Sequence, residues 1–463
     1  MTKFRTEKDS LGTVKVPASA YYGAQTQRAV ENFQISNLRF SNQFIQSLAL
    51  IKKSSAKINS QLGLLDKDIA EKIISVAEEI INGNYLSEFV IDIFQTGSGT
   101  STNMNMNEVI SNIAIEKSGG KKGDKNSVHP NDHVNLGQSS NDVIPTAIHI
   151  ALIKSITFDL IPSLEILEKA LKKKSIEFDR TIKTGRTHLQ DATPITLGQE
   201  FLGYCGQVQN GIEKLNDSLK WLSKVALGGT AVGTGINTHK DFARLVCEDI
   251  SDSTNLEIIE TDNHFQAQST IDGISGTAGV IKSLSLSIMK ICNDIRWMGS
   301  GPRGGLGEIN LPAVAPGSSI MPGKVNPVIA ESFLQVCAQV YGNCSTVELS
   351  AQTGNFELNV MLPVVAHNIL ESVDIMAKSA VNFSEKCITD LEATEQGPNS
   401  VHRGLSMVTA LVPKIGYDLS AKIAQEAEKT GKTVEEIAIE KTDLSPSKIK
   451  EILDPFKMIN PGL

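Results

Sequence analysis

Phe201, Cys205, Val208, Ile212, Leu215, Leu219, Leu222 and Ala226 follow one another at alternating steps of four and three. That spacing is a heptad seam held for more than three heptads, which predicts a long helix with one apolar stripe. A second seam runs Ile274, Ile281, Leu284, Ile288, Ile291 and Ile295. Shorter ones run Ile329, Phe333, Val336, Val340 and Leu358, Leu362, Val365, Ile369, Met376. A fifth starts after Asn141 and passes Ile144, Ile148 and Leu152 towards an expected kink at Pro162. Strand signals are scarce and short, so the expected fold is mainly α, built on a central five-helix bundle.

Val280 and Leu286 are apolar but lie off their seam. Self-association would cover such faces, and so would the ends of the same chain. Three domains are expected: residues 1–138, shorter helices broken by polar Gly/Ser/Asn segments; 139–395, the long-helix bundle; and 396–463, a small helical end. The last boundary is marked by Glu395-Gln396-Gly397-Pro398-Asn399-Ser400, and helices are expected to start at Thr433-Val434-Glu435-Glu436 and at Ser445-Pro446-Ser447.

The chain has 463 residues, 40% hydrophobic and 21% charged, which excludes a disordered, collagenous or disulfide-stapled class. The net charge of −8 is spread along the chain with no basic stripe, so neither nucleic acid nor an anionic membrane is an expected partner. No apolar stretch approaches the ~18 residues of a membrane span. The first residues mix acids and bases with no apolar run behind them, unlike a signal or transit peptide, so a cytoplasmic location is expected. Six cysteines, Cys205, Cys247, Cys292, Cys337, Cys344 and Cys387, contain no CxxC pair and read as buried thiols.

The most unusual stretch is Gly301–Asn326, with six Gly and four Pro in 26 residues between two strong helices. Long loops of this composition are usually functional. It ends in Gly317-Ser318-Ser319-Ile320-Met321-Pro322-Gly323-Lys324-Val325-Asn326-Pro327, where Asn326 and Pro327 fit a cap and a first-turn proline. Free N–H groups at a helix start beside Lys324 make an anion site. A Walker A loop is excluded, because five residues separate Gly317 from Gly323 and Val325 replaces the required Ser or Thr.

Three other segments share the design: Thr96-Gly97-Ser98-Gly99-Thr100-Ser101-Thr102-Asn103, Gly137-Gln138-Ser139-Ser140-Asn141, and Gly185-Arg186-Thr187-His188-Leu189-Gln190-Asp191 ahead of a helix start at Pro194–Leu197. Each alone is also ordinary capping. Four of them, separated by helices that could converge at one end of a bundle, point to a small polyanion held by hydroxyls, amides and helix N-termini. His188 sits in a polar segment off any apolar face, and Glu331, about one turn past Asn326, could orient it as an acid/base group. No metal site is expected: in His129-Pro130-Asn131-Asp132-His133 the proline spoils an i, i+4 pair. The run Gly228–Gly235 follows a helix rather than a strand, which argues against a dinucleotide turn.

With these segments in hand, the sequence resembles the class II fumarases of the fumarase/aspartase superfamily. GSSIMPGKVNP at 317–327 is the superfamily signature, and QTGSGTSTNMNMNEV at 95–109, HPNDHVNLGQSSNDVIPTA at 129–147 and GRTHLQDATPITLGQE at 185–200 favour fumarase. Aspartases typically carry Gln at the position of His188 and Thr at that of Ser140. The resemblance runs from near Arg5 to the C-terminus.

It implies a three-domain subunit whose five long helices associate into a twenty-helix homotetramer core, with active sites shared by three subunits. It further implies reversible trans hydration of fumarate to L-malate in the tricarboxylic acid cycle, with no metal and no organic cofactor. By resemblance Ser318 is the base for the C3 proton, and His188, backed by Glu331, is the second acid/base group. Ser98, Gly99, Thr100, Ser139, Ser140, Asn141, Thr187, Ser319, Lys324, Val325 and Asn326 bind the dicarboxylate. A secondary anion site falls on His129, Pro130, Asn131 and Asp132, preceded here by Asn126-Ser127 where some relatives carry basic residues. An ammonia lyase acting on aspartate and a catalytically silent scaffold remain alternatives; an iron–sulfur hydratase would need clustered cysteines.

Overall fold

The computed structural model describes residues 3–462, and among them it has seventeen α-helices and five two-stranded ribbons. The fold is mainly α. Five long helices carry the seams: α1 (140–177), α2 (Leu197–Leu222), α3 (Asp272–Met298), α4 (Val328–Ala351) and α5 (Leu362–Phe383). All six seam residues of α3 are buried, and each such side chain contributes about 1.5–3 kcal/mol. Leu286, off that seam, is half-exposed.

At Pro162, where a kink is expected, the helix carries a widened turn. Ser140–Ser155 passes through a π turn, Ile156–Leu160, into Ile161–Glu177 without ending. Pro162 has no N–H for the carbonyl four residues back, and the turn before it closes instead through Ile161 N–H to the Ile156 carbonyl. Two seam ends are also shorter than expected: α2 stops at Leu222, so Ala226 lies beyond it, and Leu358 falls in a short strand ahead of α5.

The described chain divides into two compact units. The first comprises the chain through Pro162 together with Glu213–Ser285 and Ala338–Ala377. It opens with a hairpin, Phe4–Asp9 against Gly12–Pro17, where the sequence predicts only broken helix. Helix Asn42–Gln61 packs against Lys67–Ile81, Ser140–Ser155 and Phe242–Thr254, burying Phe44, Leu48 and Ile51. Between α4 and α5, Asn343 donates to Glu371 at 2.8 Å. The α3 backbone at Gly273 and Gly276 meets Trp221 so closely that a Cβ on Gly273 would lie 2.6 Å from the Trp221 carbonyl.

The second unit comprises Ser163–Ile212, Leu286–Cys337 and the chain from Lys378 on. Tyr204 of α2 donates to Asp294 of α3 at 3.1 Å, and Phe333 of α4 meets Phe383 of α5 edge-on with centroids 5.6 Å apart. A separate core holds the C-terminal helices, with Val401, Leu411, Ile423, Ile437 and Ile449 packed together with Ile182. The expected starts are in place: Thr433 and Glu436 form a capping box, and Ser445 caps the helix in which Pro446 is the first residue. All six cysteines are free and buried. Among the described residues no helix is long and apolar enough to cross a membrane.

Candidate active site

In the first unit two helices start side by side. Thr100–Lys117 begins after Gly99, and α1 begins after Ser139, whose hydroxyl accepts the Asn141 N–H at 3.2 Å while its own N–H goes to Asp142. A chain of hydroxyls joins the two starts: Ser98 Oγ lies 2.7 Å from Thr100 Oγ1, which lies 2.6 Å from Ser140 Oγ. Pro145 lies in the second turn of α1 and has no N–H to give the Asn141 carbonyl. The result is two helix N-termini and four polar side chains in one place, an arrangement that favours a carboxylate.

The second unit carries the other groups. Residues 182–196 are a β-hairpin rather than the expected loop, Ile182–Thr187 paired with Gln190–Thr196. His188 and Leu189 form its two-residue turn with φ of 57° and 59°, the left-handed values of the hairpin turn that matches strand twist. Thr187 and His188 are exposed there. α2 then starts at Leu197, the end of the expected window.

The loop of Ser318 folds back on itself. Ser318 N–H donates to the Lys324 carbonyl at 3.3 Å, and Lys324 N–H to the Met321 carbonyl at 3.3 Å. The Ser318 hydroxyl accepts two backbone N–H groups, from Ile320 at 3.3 Å and Met321 at 3.0 Å. Only glycine fits at 317: φ is +79°, and a Cβ would lie 1.6 Å from the Lys324 carbonyl oxygen. Ser319, Lys324 and Val325 are exposed, and Asn326 is partly buried. The first helical bond of α4 runs from Glu331 N–H to the Pro327 carbonyl, so the helix begins one residue later than the expected cap at Asn326. Within this unit no hydrogen bond or ion pair joins His188 to Ser318 or Glu331.

His129 caps a single π turn, Pro130–Val134, its Nδ1 accepting the N–H groups of Asn131 at 3.1 Å and Asp132 at 3.0 Å. His133 Nδ1 in turn accepts the His129 N–H at 2.9 Å. Burial holds the His129 imidazole below its ordinary value, opposed by the charge of Asp132.

A family model described as a lyase matches residues 12–342, and one described as the fumarase C C-terminus matches 407–460. A fumarate hydratase class II of Halobacterium salinarum is 50% identical over 461 residues, 99% of this chain and 98% of that protein. The chain belongs to the class II fumarase family. Its relative of the same description in Caulobacter vibrioides is 48% identical over all of both chains. Among solved structures, a class II fumarase from Schistosoma mansoni superposes with a TM-score of 0.96 at 40% identity, covering 98% of this chain and 99% of that one. A fumarate lyase:delta crystallin from Brucella melitensis bound to cobalt gives 0.95 at 42%, covering 99% and 100%. Class II fumarase membership decides the choice of family that the shared 317–327 signature left open.

Several residues around these fumarase segments are not singled out by the sequence patterns. Glu308, at the foot of the long loop, is buried between Lys183 at 3.3 Å and Arg186 at 2.8 Å; Lys183 also reaches Glu200 at 2.5 Å. The Glu308 backbone bonds Met298 and Thr394, so the loop's foot and the hairpin of His188 share one ionic anchor. Asp142 could have been noticed as the third residue after a capping serine. Lys52, buried in an apolar helix, could not.

Proposed function

We propose that the protein adds water reversibly and in trans across fumarate to give L-malate, the hydratase step of the tricarboxylic acid cycle. The observation that carries this is the Ser318 hydroxyl accepting two loop N–H groups, in a chain whose curated relatives are class II fumarate hydratases. An unassisted serine is far too weak a base for a C3 proton, and N–H donors aimed at its oxygen stabilise the alkoxide that could take it.

In the malate direction Ser318 Oγ takes the C3 proton and leaves an aci-carboxylate dianion. That charge is stabilised by Lys324, Asn326 and helix N-termini. His188, oriented by Glu331, gives a proton to the C2 hydroxyl, which departs as water. Hydration runs the same steps in reverse. Ser98, Gly99, Thr100, Ser139, Ser140, Asn141, Thr187, Ser319 and Val325 complete the binding of the dicarboxylate, and neither metal nor organic cofactor enters.

The working form is a homotetramer in the cytoplasm, with each site drawing on three subunits. Supporting this, the long helices leave Leu202, Trp221, Leu286, Trp297, Tyr341 and Leu349 exposed on single chains, faces that self-association would cover. Residues 1–138, 139–395 and 396–463 are its three domains. The His129–Asp132 turn is a secondary anion site. Loss of fumarate absorbance in the presence of a chelator, without ammonia release from L-aspartate, is the expected result; ammonia release would contradict the reading.

A further inference from the structure

The Gly228–Gly235 run has no part in the scheme above, yet it is bound to the turn that would hold the substrate. Asp142 is fully buried, and its carboxylate is shared between the two segments. Oδ1 accepts the Ser139 N–H at 2.9 Å; Oδ2 accepts the N–H groups of Gly228 at 3.1 Å and Thr230 at 2.9 Å. Asn141 repeats the link, donating from Nδ2 to the Ala231 carbonyl at 2.8 Å. Thr230 sits at φ +53°, a region a β-branched residue seldom adopts, and the bond to Asp142 helps hold it there.

A buried carboxylate one turn from an anion site would repel the substrate. Lys52, also with no exposure, is the buried cation that feels this charge, its Nζ donating to Asn135 Oδ1 and Gln138 Oε1, both at 2.9 Å. Burial pushes the Asp142 carboxyl up to about 6 and the Lys52 ammonium down to about 7, so each charge depends on its hydrogen bonds and on the other.

We propose that Asp142 is a positioning residue that fixes Ser139-Ser140-Asn141 for carboxylate binding by clasping this turn to the 228–235 loop. The role rests on the functional reading above. It acts on substrate binding, not on proton transfer.

The test is Asp142→Asn and the double variant Lys52→Met/Asp142→Asn, the latter removing both buried charges so that the fold survives. In each, KM for fumarate is expected to rise about tenfold with kcat within about threefold of wild type. Hydrogen exchange should quicken together over 137–143 and 226–235. An active wild type whose folded variants keep their KM, or lose exchange protection without a change in KM, overturns this role alone. A wild type that does not turn over fumarate overturns the functional reading and this role with it.

Discussion

Thr100 Oγ1 lies 2.6 Å from Ser140 Oγ, a hydrogen bond between the first turns of two helices 40 residues apart. It sets how far apart the two N-termini stand. Thr100→Val and Ser140→Ala should each raise KM for fumarate about tenfold, and the double variant should cost less than the product, because both remove one shared contact. Steady-state kinetics on the three variants measures this; full additivity would mean that the hydroxyls act separately.

Gly317 closes the serine turn with a backbone that only glycine fits. Gly317→Ala must push the Lys324 carbonyl away from a Cβ 1.6 Å from it, so the turn around Ser318 opens. Because the loop is largely exposed, kcat should fall at least about a hundredfold while the melting temperature barely moves. Wild-type kcat in this variant would show that the fold of the turn is not what activates Ser318.

Glu308 is the opposite case. Glu308→Gln leaves Lys183 and Arg186 short of a buried partner, which costs about 3 kcal/mol and should lower the thermal midpoint by several degrees. An unchanged midpoint would mean that the anchor stabilises nothing.

How legible these features are depends on the distance over which they are written. The seam of α3 is visible because its six residues all obey one local period and all end buried. The folded serine turn and its lysine lie within seven residues, so GSSIMPGK can be read as a unit. The hairpin of His188 was invisible, since its turn is His188-Leu189 rather than a glycine or asparagine pair, and left-handed backbone is not expected of either. Arg186 with Glu308, 122 residues apart, and Lys52 with Asn135 and Gln138 are pairings made by tertiary structure, with no local signature.

His149 makes stability depend on pH. Burial pushes its imidazole below the ordinary 6.5, against the opposing hydrogen bond from Nδ1 to the Leu222 carbonyl. The unfolded chain therefore binds a proton that the folded chain refuses as pH falls below 6.5. Stability from this group is present above that value and lost below it. Melting temperatures followed from about pH 7 to about pH 5 should fall less steeply in His149→Gln than in wild type; identical slopes would contradict the assignment.

In the proposed reaction Ser318 and His188 exchange protons with a four-carbon dicarboxylate. Ultraviolet absorbance of fumarate, followed on the purified protein beside Ser318→Ala and His188→Asn, tests it directly. The wild type is expected to convert fumarate, and both variants to be slower by about 10²–10⁴ with melting temperatures unchanged. Wild-type rates in either variant would contradict it.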